Sequence, residues 1–139
     1  MPETQNCILV VDDDKRMRKA VMDFLATGGY RMLAAGDGEE AWDSFQKNKE
    51  SIELILLDIM MPGKDGMAVL RKIRMESEIP VILLTAKDRE TDQITGFRQG
   101  ADDYITKPFS PALLEARVES VLKRTKRESG RGIIKEGRL

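Results

Sequence analysis

The chain has 139 residues, of which 41% are hydrophobic and 34% charged, and its formal net charge is -1. This length predicts about one domain with its own buried core, and the near-neutral charge argues against nucleic-acid binding by the domain as a whole. There is no histidine and one cysteine, which excludes Ser-His-Asp catalysis, zinc sites built on histidine or paired cysteines, and internal disulfides. That cysteine, Cys7, lies in an apolar run and is interpreted as a core residue.

Short apolar runs alternate with amphipathic stretches along the chain. Strands are predicted at residues 7–11, 31–35, 53–57, 81–84 and 104–106. Helices are predicted at residues 15–27, 38–47, 65–75, 88–99 and 111 to about 126. The last helix begins with a capping Ser110 followed by Pro111 at the first helical position. Residues 1–126 are therefore predicted to form one domain, and residues 127–139, with three glycines, to form a linker.

Five strand–helix alternations predict an α/β fold, with a parallel sheet covered by helices on both faces. The first, third and fourth apolar runs are the most continuous, as expected for strands that are buried on both faces. The second and fifth runs are mixed, as expected for edge strands. The flavodoxin-like, doubly wound (βα)5 order 2-1-3-4-5 meets both expectations.

Polar residues follow the strands at the edge where open α/β sheets bind ligands. Asp12 and Asp13 follow the first strand, Asp58 the third, Thr85 the fourth and Lys107 the fifth. In the order 2-1-3-4-5 the topological switch point lies between strands one and three. The three carboxylates are therefore expected to converge on one pocket.

Converging carboxylates need a cation, because two unit charges about 4 Å apart repel by roughly 4 kcal/mol at an effective dielectric constant of 20. The available ligands are oxygens, which favour Mg²⁺, an ion that keeps several waters and shares phosphate groups. Lys107 offers a compact positive charge for phosphate oxygens, and Thr85 offers a hydroxyl donor. An aspartate can also act as a nucleophile that forms an acyl phosphate.

Each of these residues also has a plainer interpretation. Asp14 is best explained as the cap of the first helix, whereas capping and site roles weigh equally for Asp12 and Asp13 on local sequence. Taken singly, Asp58 is a turn former, Thr85 a structural hydroxyl and Lys107 a solvated lysine. Their joint occurrence at strand ends favours the site.

Four segments resemble, in order and spacing, the receiver domain of two-component response regulators: ILVVDDD at 8–14, LLDIMMPGKDG at 56–66, LTA at 84–86 and GADDYITKPF at 100–109. The resemblance covers about residues 6–126. It implies a phospho-accepting signalling switch, with a histidine kinase as the donor. It also implies a protein that is not an enzyme in the usual sense but assists its own phosphorylation and dephosphorylation.

The resemblance assigns roles to the residues of the site. Asp58 matches the phospho-acceptor, and Lys107 matches the lysine that contacts the phosphoryl group. Asp12 and Asp13 match the acidic pair that holds Mg²⁺, with Asp58 and the backbone carbonyl of Met60 as further ligands. Met60 is interpreted either as an apolar shield of the acyl phosphate against water or as plain packing in a chain with eight methionines.

The resemblance also implies a readout surface. Thr85 and Tyr104 match a switch pair that rearranges on phosphorylation, and the Lys107–Pro108 bond matches one that is usually cis. The fourth helix, the fifth strand and the fifth helix would form the surface that controls dimerisation or an output domain. The weakly apolar fourth helix suits a mobile element.

Two further positions suggest a winged-helix transcription factor. Asp103 and Arg117 lie where regulators with such DNA-binding domains place a dimer ion pair. Gln93 and Leu113 depart from the Arg and Glu of that subfamily, which puts the usual homodimer in question. Residues 133–139 resemble the first strand of such a domain, so 127–139 form a linker or the start of an output domain absent from this chain. DNA would be bound only through that domain.

Three rival classes were weighed against this interpretation. A phosphatase with an aspartate nucleophile fits the spacing of Asp12 and Asp14, but Arg16 stands where Thr or Val is expected and a cap domain has no room. A flavin carrier would need a Ser/Thr/Gly-rich loop after the first strand, where three aspartates instead repel a phosphate. A non-phosphorylated interaction module is disfavoured by the intact acidic site. We expect a cytoplasmic protein, because no apolar run approaches the roughly 20 residues that span a bilayer and residues 1–6 lack signal-peptide features.

Overall fold

The structure of the protein, a computed structural model, describes residues 7–61, 66–86 and 90–138, with side chains for 7–61, 66–86 and 94–125. The described strands are β1 (Cys7–Val11), β2 (Arg31–Ala35), β3 (Ile52–Asp58), β4 (Val81–Ala86) and β5 (Asp103–Lys107). The described helices are α1 (Lys15–Thr27), α2 (Gly38–Lys47), α3 (Gly66–Arg74), α4 (Glu90–Arg98) and α5 (Pro111–Arg138). Strands and helices alternate strictly along the chain.

All strands of the sheet are parallel, and their order is β2-β1-β3-β4-β5, which confirms the predicted topology. The register brings the carboxyl ends of the strands to one edge. Val11 lies opposite Leu57 and Asp58 lies opposite Leu84. Ala86, at the end of β4, lies opposite Lys107 at the end of β5. Residues at or just past these ends are therefore neighbours.

The sheet separates two apolar layers. Every residue of β1 is buried, and β3 and β4 are buried along nearly their whole length, which explains why these three runs are continuously apolar. On one face the strands pack with Phe45 of α2 and Leu70 of α3, and on the other with Val21 of α1 and Val118 of α5. Each large side chain buried in this way contributes roughly 1.5–3 kcal/mol.

Helix caps set the ends of the helices near the ligand-binding edge. The Asp14 carboxylate accepts hydrogen bonds from the backbone N–H groups of Arg16 and Met17 at 3.0 and 3.3 Å, which confirms its predicted capping role. The Ser110 hydroxyl likewise accepts from the N–H of Leu113 at 3.1 Å. These caps start α1 and α5 shortly after β1 and β5, so the intervening turns are short and well defined.

Several element ends differ from the prediction. Asp58 and Lys107 are the last residues of β3 and β5, and Thr85 lies inside β4, because parallel pairing continues through these polar residues. Helix α5 runs to Arg138, past the predicted end near residue 126. A glycine inside a helix costs only about 1 kcal/mol relative to alanine, which disfavours but does not forbid this continuation.

Other predictions fall outside the described residues. The expected helix starts at Asp65 and Asp88 are in this group. The assignment of residues 127–139 to a linker or an output domain stays a prediction. Among the described residues, no helix is both long and apolar enough to cross a membrane. Cys7 is a free buried thiol, and burial raises its pKa.

Candidate functional site

Three carboxylates meet at the carboxyl edge of the sheet. Asp12, Asp13 and Asp58 each place one carboxylate oxygen within 4.8 Å of the others. Asp12 is 0% exposed and Asp58 2% exposed, whereas Asp13 is open to solvent. The convergence follows from the parallel pairing of β1 with β3, which puts the residue after β1 beside the last residue of β3.

Lys107 reaches across the sheet edge to two of these carboxylates. Its Nζ donates to Oδ2 of Asp12 at 3.0 Å and to Oδ2 of Asp58 at 3.3 Å. Burial disfavours the charged ammonium, but the hydrogen bond to Asp12 and the negative charge of both carboxylates outweigh it and raise the pKa of Lys107. The following Lys107–Pro108 bond is cis, in agreement with the expectation.

Asp58 is held at both carboxylate oxygens. Its Oδ1 accepts a hydrogen bond from the backbone N–H of Met60 at 2.8 Å, while Oδ2 faces Lys107. The pKa of Asp58 is raised to about 6, chiefly by burial and also by the nearby charge of Asp12, against the lowering effects of the Met60 N–H and Lys107. A single ammonium therefore does not fully offset the burial of two carboxylates.

Asp12 is fixed through its backbone as well as its side chain. Its N–H donates to the carbonyl of Ala35 at 3.1 Å, and its Oδ1 accepts from the N–H of Asp14 at 3.0 Å. The guanidinium of Arg18 donates to the Asp12 carbonyl at 2.8 Å. Arg18 could not be predicted as part of the site, because a single arginine on an amphipathic helix is typical of a solvated residue and no motif marks it.

Thr85 and Tyr104 lie on neighbouring strands and on the same face of the sheet. Thr85 pairs with Thr106, two residues past Tyr104, and side chains alternate along a strand. Thr85 is 0% exposed, and its hydroxyl makes a long 3.4 Å hydrogen bond to the carbonyl of Ala86. The half-buried Tyr104 ring meets Phe97 of α4 edge-on, at 5.5 Å between centroids. Thr85 and Tyr104 thus lie between the acidic site and α4.

The described parts of α4, β5 and α5 form one surface, here called the α4–β5–α5 face (residues 94–98, 103–107 and 111–125). Arg117 donates to Asp103 at 3.4 Å across this face, within the same chain. Ile94, Phe97 and Leu113 are 47%, 44% and 40% exposed on it. At Leu113 the expected charge is replaced by an apolar side chain, while the side chain of Gln93 lies outside the described residues.

The donor set fits Mg²⁺. All the convergent side-chain ligands are carboxylate oxygens, and Mg²⁺ at about 2.1 Å from each needs oxygen separations of at most about 4 Å. The three carboxylate oxygens lie within 4.8 Å of one another, which is close to this spacing. The exposure of Asp13 leaves one side of the group open to the waters that Mg²⁺ retains. Asp14 is occupied as a helix cap, so the Asp12–Asp14 pair of an aspartate-based phosphatase is not formed.

Comparison with protein families gives one match that covers most of the chain. A family model described as the response regulator receiver domain matches residues 8–119. Among curated proteins, a "Probable transcriptional regulator ycf27" from Cyanophora paradoxa is 50% identical over 118 residues, which are 85% of this chain and 48% of that protein. An "Uncharacterized transcriptional regulatory protein YclJ" from Bacillus subtilis is 43% identical over 129 residues, which are 93% of this chain and 56% of that protein. The chain thus spans about half the length of these curated relatives.

Solved structures give the same fold. A response regulator receiver domain protein, described as CheY-like, from Methanospirillum hungatei has a TM-score of 0.83 at 26% identity, covering 90% of this chain and 99% of that one. The receiver domain of NtrX from Brucella abortus has a TM-score of 0.77 at 32% identity, covering 84% of this chain and 98% of that one.

Proposed function

This chain belongs to the response regulator receiver family, and we propose that it is a switch that accepts a phosphoryl group on Asp58 from a histidine kinase. One observation carries the proposal. The buried Asp58 carboxylate is held between the N–H of Met60 and the ammonium of Lys107, beside the carboxylates of Asp12 and Asp13. This arrangement orients a nucleophilic oxygen beside a cation, in a pocket whose carboxylates outnumber its ammonium group.

In the proposed transfer, an Asp58 oxygen attacks phosphorus and the P–N bond to the kinase histidine breaks as the new P–O bond forms. The leaving imidazole takes up a proton. Lys107 moves its hydrogen bond from Asp58 to a phosphoryl oxygen, which neutralises part of the transferred charge. Asp12, Asp13, Asp58 and the carbonyl of Met60 would hold Mg²⁺, which supplies the remaining charge neutralisation. No separate substrate is turned over, so the protein assists its own phosphorylation and dephosphorylation.

Met60 is proposed to shield the acyl phosphate from water. Its side chain is apolar and 43% exposed, and its backbone N–H is bound directly to Asp58. We expect Met60→Asn to speed dephosphorylation, because an amide side chain can hold water near the acyl phosphate. The measurement is the decay of the phosphorylated mass over time, and an unchanged decay rate would leave plain packing as the role of Met60.

The proposed readout begins with Thr85. Phosphorylation adds nearly two negative charges and new acceptor oxygens, to which the Thr85 hydroxyl can turn from its long bond with Ala86. That movement opens space for Tyr104 to turn inward and biases a pre-existing equilibrium of the α4–β5–α5 face. The face would then control a homodimer or an output domain. Because the named relatives are transcriptional regulators, we propose transcription regulation in the cytoplasm, with DNA bound only through an output domain.

The test is the intact mass of the protein after incubation with Mg²⁺ and acetyl phosphate. We expect one added phosphoryl group, absent in Asp58→Asn and absent when Mg²⁺ is chelated. A matched control is Asp23→Asn, which removes an exposed carboxylate of α1 that pairs with Lys19. An added phosphoryl group that persists in Asp58→Asn would assign the acceptor to another residue and defeat the proposal.

A further inference from the structure

We propose that Arg18 is a positioning residue for the Mg²⁺-binding pair, because it fixes the peptide that joins Asp12 to Asp13. The inference rests on the proposed function, since Mg²⁺ binding by that pair belongs to it. Arg18 lies in α1 and is half-buried, although its neighbours Arg16 and Lys19 are exposed. Its guanidinium turns back toward the end of β1 and not into solvent.

The Arg18 hydrogen bond is made to a backbone carbonyl, so the group that it orients is a peptide unit. Arg18 donates to the carbonyl of Asp12 at 2.8 Å. That carbonyl belongs to the planar peptide unit between Asp12 and Asp13, so its orientation sets the direction in which the Asp13 side chain departs. Both aspartates lie between the end of β1 and the start of α1, where no strand or helix ladder holds this peptide.

The other hydrogen bonds of Asp12 do not restrain the peptide between Asp12 and Asp13. Its N–H is bound to Ala35, and its carboxylate oxygens are bound to the N–H of Asp14 and to Lys107. These bonds hold the backbone N–H and the carboxylate of Asp12 but are not made to the peptide that follows it. Because the Arg18 bond fixes this peptide, the exposed Asp13 carboxylate keeps a fixed orientation relative to the buried Asp12 carboxylate.

The room for the guanidinium comes from a glycine in the turn after β2. A Cβ on Gly36 would lie 3.1 Å from Nη1 of Arg18 and 3.4 Å from Oε1 of Glu40. The N–H of Gly36 donates to that Glu40 oxygen at 2.7 Å, so the turn itself is held in place. The φ angle of Gly36 is not positive, so alanine at this position meets a steric and not a conformational obstacle. Gly36→Ala should therefore disturb the Arg18 bond without touching either aspartate.

The charge of Arg18 and its positioning hydrogen bond predict opposite effects of its loss on the affinity for Mg²⁺. The guanidinium is positive, so charge alone predicts that Arg18→Ala strengthens the binding of a cation. Loss of the positioning bond predicts weaker binding, since residues that orient metal ligands typically change metal affinity by 10- to 100-fold when mutated. Arg16→Ala is the matched control, because it removes the same charge from an exposed position in the same helix.

The experiment is a calorimetric titration of the whole chain with Mg²⁺ for the wild type and the variants Arg18→Ala, Arg18→Lys, Gly36→Ala and Arg16→Ala. We expect Arg18→Ala to raise the Kd for Mg²⁺ roughly tenfold. Arg18→Lys keeps a donor and should recover part of that loss, and Gly36→Ala should raise the Kd by a smaller factor. Arg16→Ala should leave the Kd unchanged or lower it. Thermal denaturation without Mg²⁺ confirms that each variant is folded.

The outcomes separate this inference from the function on which it rests. A Kd for Arg18→Ala that is equal to or below that of Arg16→Ala, with wild-type protein binding Mg²⁺, overturns the positioning role and leaves the switch intact. Wild-type protein that takes up no Mg²⁺, or an Asp12→Asn variant that binds it as well as wild type, overturns the Mg²⁺ site itself. A raised Kd for both Arg18→Ala and Gly36→Ala supports the inference by two independent routes.

Discussion

The acidic site and the α4–β5–α5 face are built in opposite ways. At the acidic site, Asp12 and Asp58 are buried, and each of their carboxylate oxygens has a described hydrogen-bond partner. On the α4–β5–α5 face, the large apolar side chains Ile94 and Phe97 are almost half exposed. No described side chain of α4 belongs to either buried apolar layer.

This difference matches two physical requirements. Phosphoryl transfer needs a nucleophile and charged groups that are already in place, because positioning supplies most of the rate enhancement. Transmission of a phosphorylation signal needs an element whose alternative positions differ in free energy by only a few kcal/mol. A helix that buries few apolar side chains allows this. Substitutions at the acidic site and on the α4–β5–α5 face are therefore expected to have different effects on stability.

Lys107→Ala should have the largest effect on stability. It leaves the Asp12 and Asp58 carboxylates facing each other without a cation, and removing one partner of a buried ion pair typically costs 3–5 kcal/mol. We expect a loss of about 3 kcal/mol at pH 8 without Mg²⁺, measured by urea denaturation, and partial recovery when Mg²⁺ is added.

The matched control is Lys19→Ala, which breaks an exposed ion pair with Asp23. Such pairs contribute little, so a change of at most about 0.5 kcal/mol is expected. Equal losses in the Lys107 and Lys19 variants would mean that the buried contacts of Lys107 with Asp12 and Asp58 contribute no more to stability than an exposed ion pair.

Gly96→Ala tests the other side of the contrast. Helix α4 approaches β4 at Gly96, where a Cβ would overlap the buried side chain of Leu83. We expect a loss of about 1–3 kcal/mol from overpacking, together with a displacement of α4 that alters the amide signals of its residues. The loss should shrink in a Leu83→Ala background, where the methyl group has space. Equal losses of stability in both backgrounds would mean that the close contact between Gly96 and Leu83 does not determine the position of α4.

Asp58→Asn should stabilise the protein in the absence of Mg²⁺. The pKa of Asp58 is about 6 in the folded protein against an ordinary 3.8, so the folded state binds more protons between these values and wild-type stability falls as pH rises through that window. The neutral amide removes this penalty. We expect a gain of roughly 1–2 kcal/mol at pH 8 that disappears near pH 4, from urea denaturation at several pH values. A gain in stability that is independent of pH would mean that the raised pKa of Asp58 is not its cause.

Arg117→Ala should change the stability of the monomer least. Its side chain is 47% exposed and its bond to Asp103 is 3.4 Å long, so a loss below about 0.5 kcal/mol is expected. If the pair is exchanged between copies in a phosphorylated dimer, sedimentation with Mg²⁺ and beryllofluoride should show a weaker dimer in Arg117→Ala than in the exposed-lysine control Lys123→Ala. Equal dimerisation would remove Arg117 from the interface.

The sequence predicted the fold well because local and global signals agree. The bounds of β1, β2, α1 and α2 were predicted to the residue, and Asp14 was correctly interpreted as a cap. The convergence of Asp12, Asp58 and Lys107 followed from strand ends and the order of the sheet alone. Their roles in phosphorylation stay predictions until they are tested.

The errors have identifiable physical causes. Asp58 and Thr85 are polar and read as loop residues, yet pairing with Leu84 and Thr106 keeps them in strands. The glycines of α5 read as a break, although their cost is small against the helix-favouring residues around them. Arg18 was missed because its role depends on one backbone carbonyl, and a side chain that bonds to backbone leaves no pairing pattern in sequence.

Control of the α4–β5–α5 face by the acidic site can be tested in the amide NMR spectrum of ¹⁵N-labelled protein with Mg²⁺, before and after addition of beryllofluoride as a phosphoryl mimic. We predict chemical-shift changes at the acidic site and also at Thr85, Tyr104 and α4, all absent in Asp58→Asn. Changes confined to the residues after β1 and β3, with α4 and β5 unaffected, would contradict the claim that the buried site controls the α4–β5–α5 face.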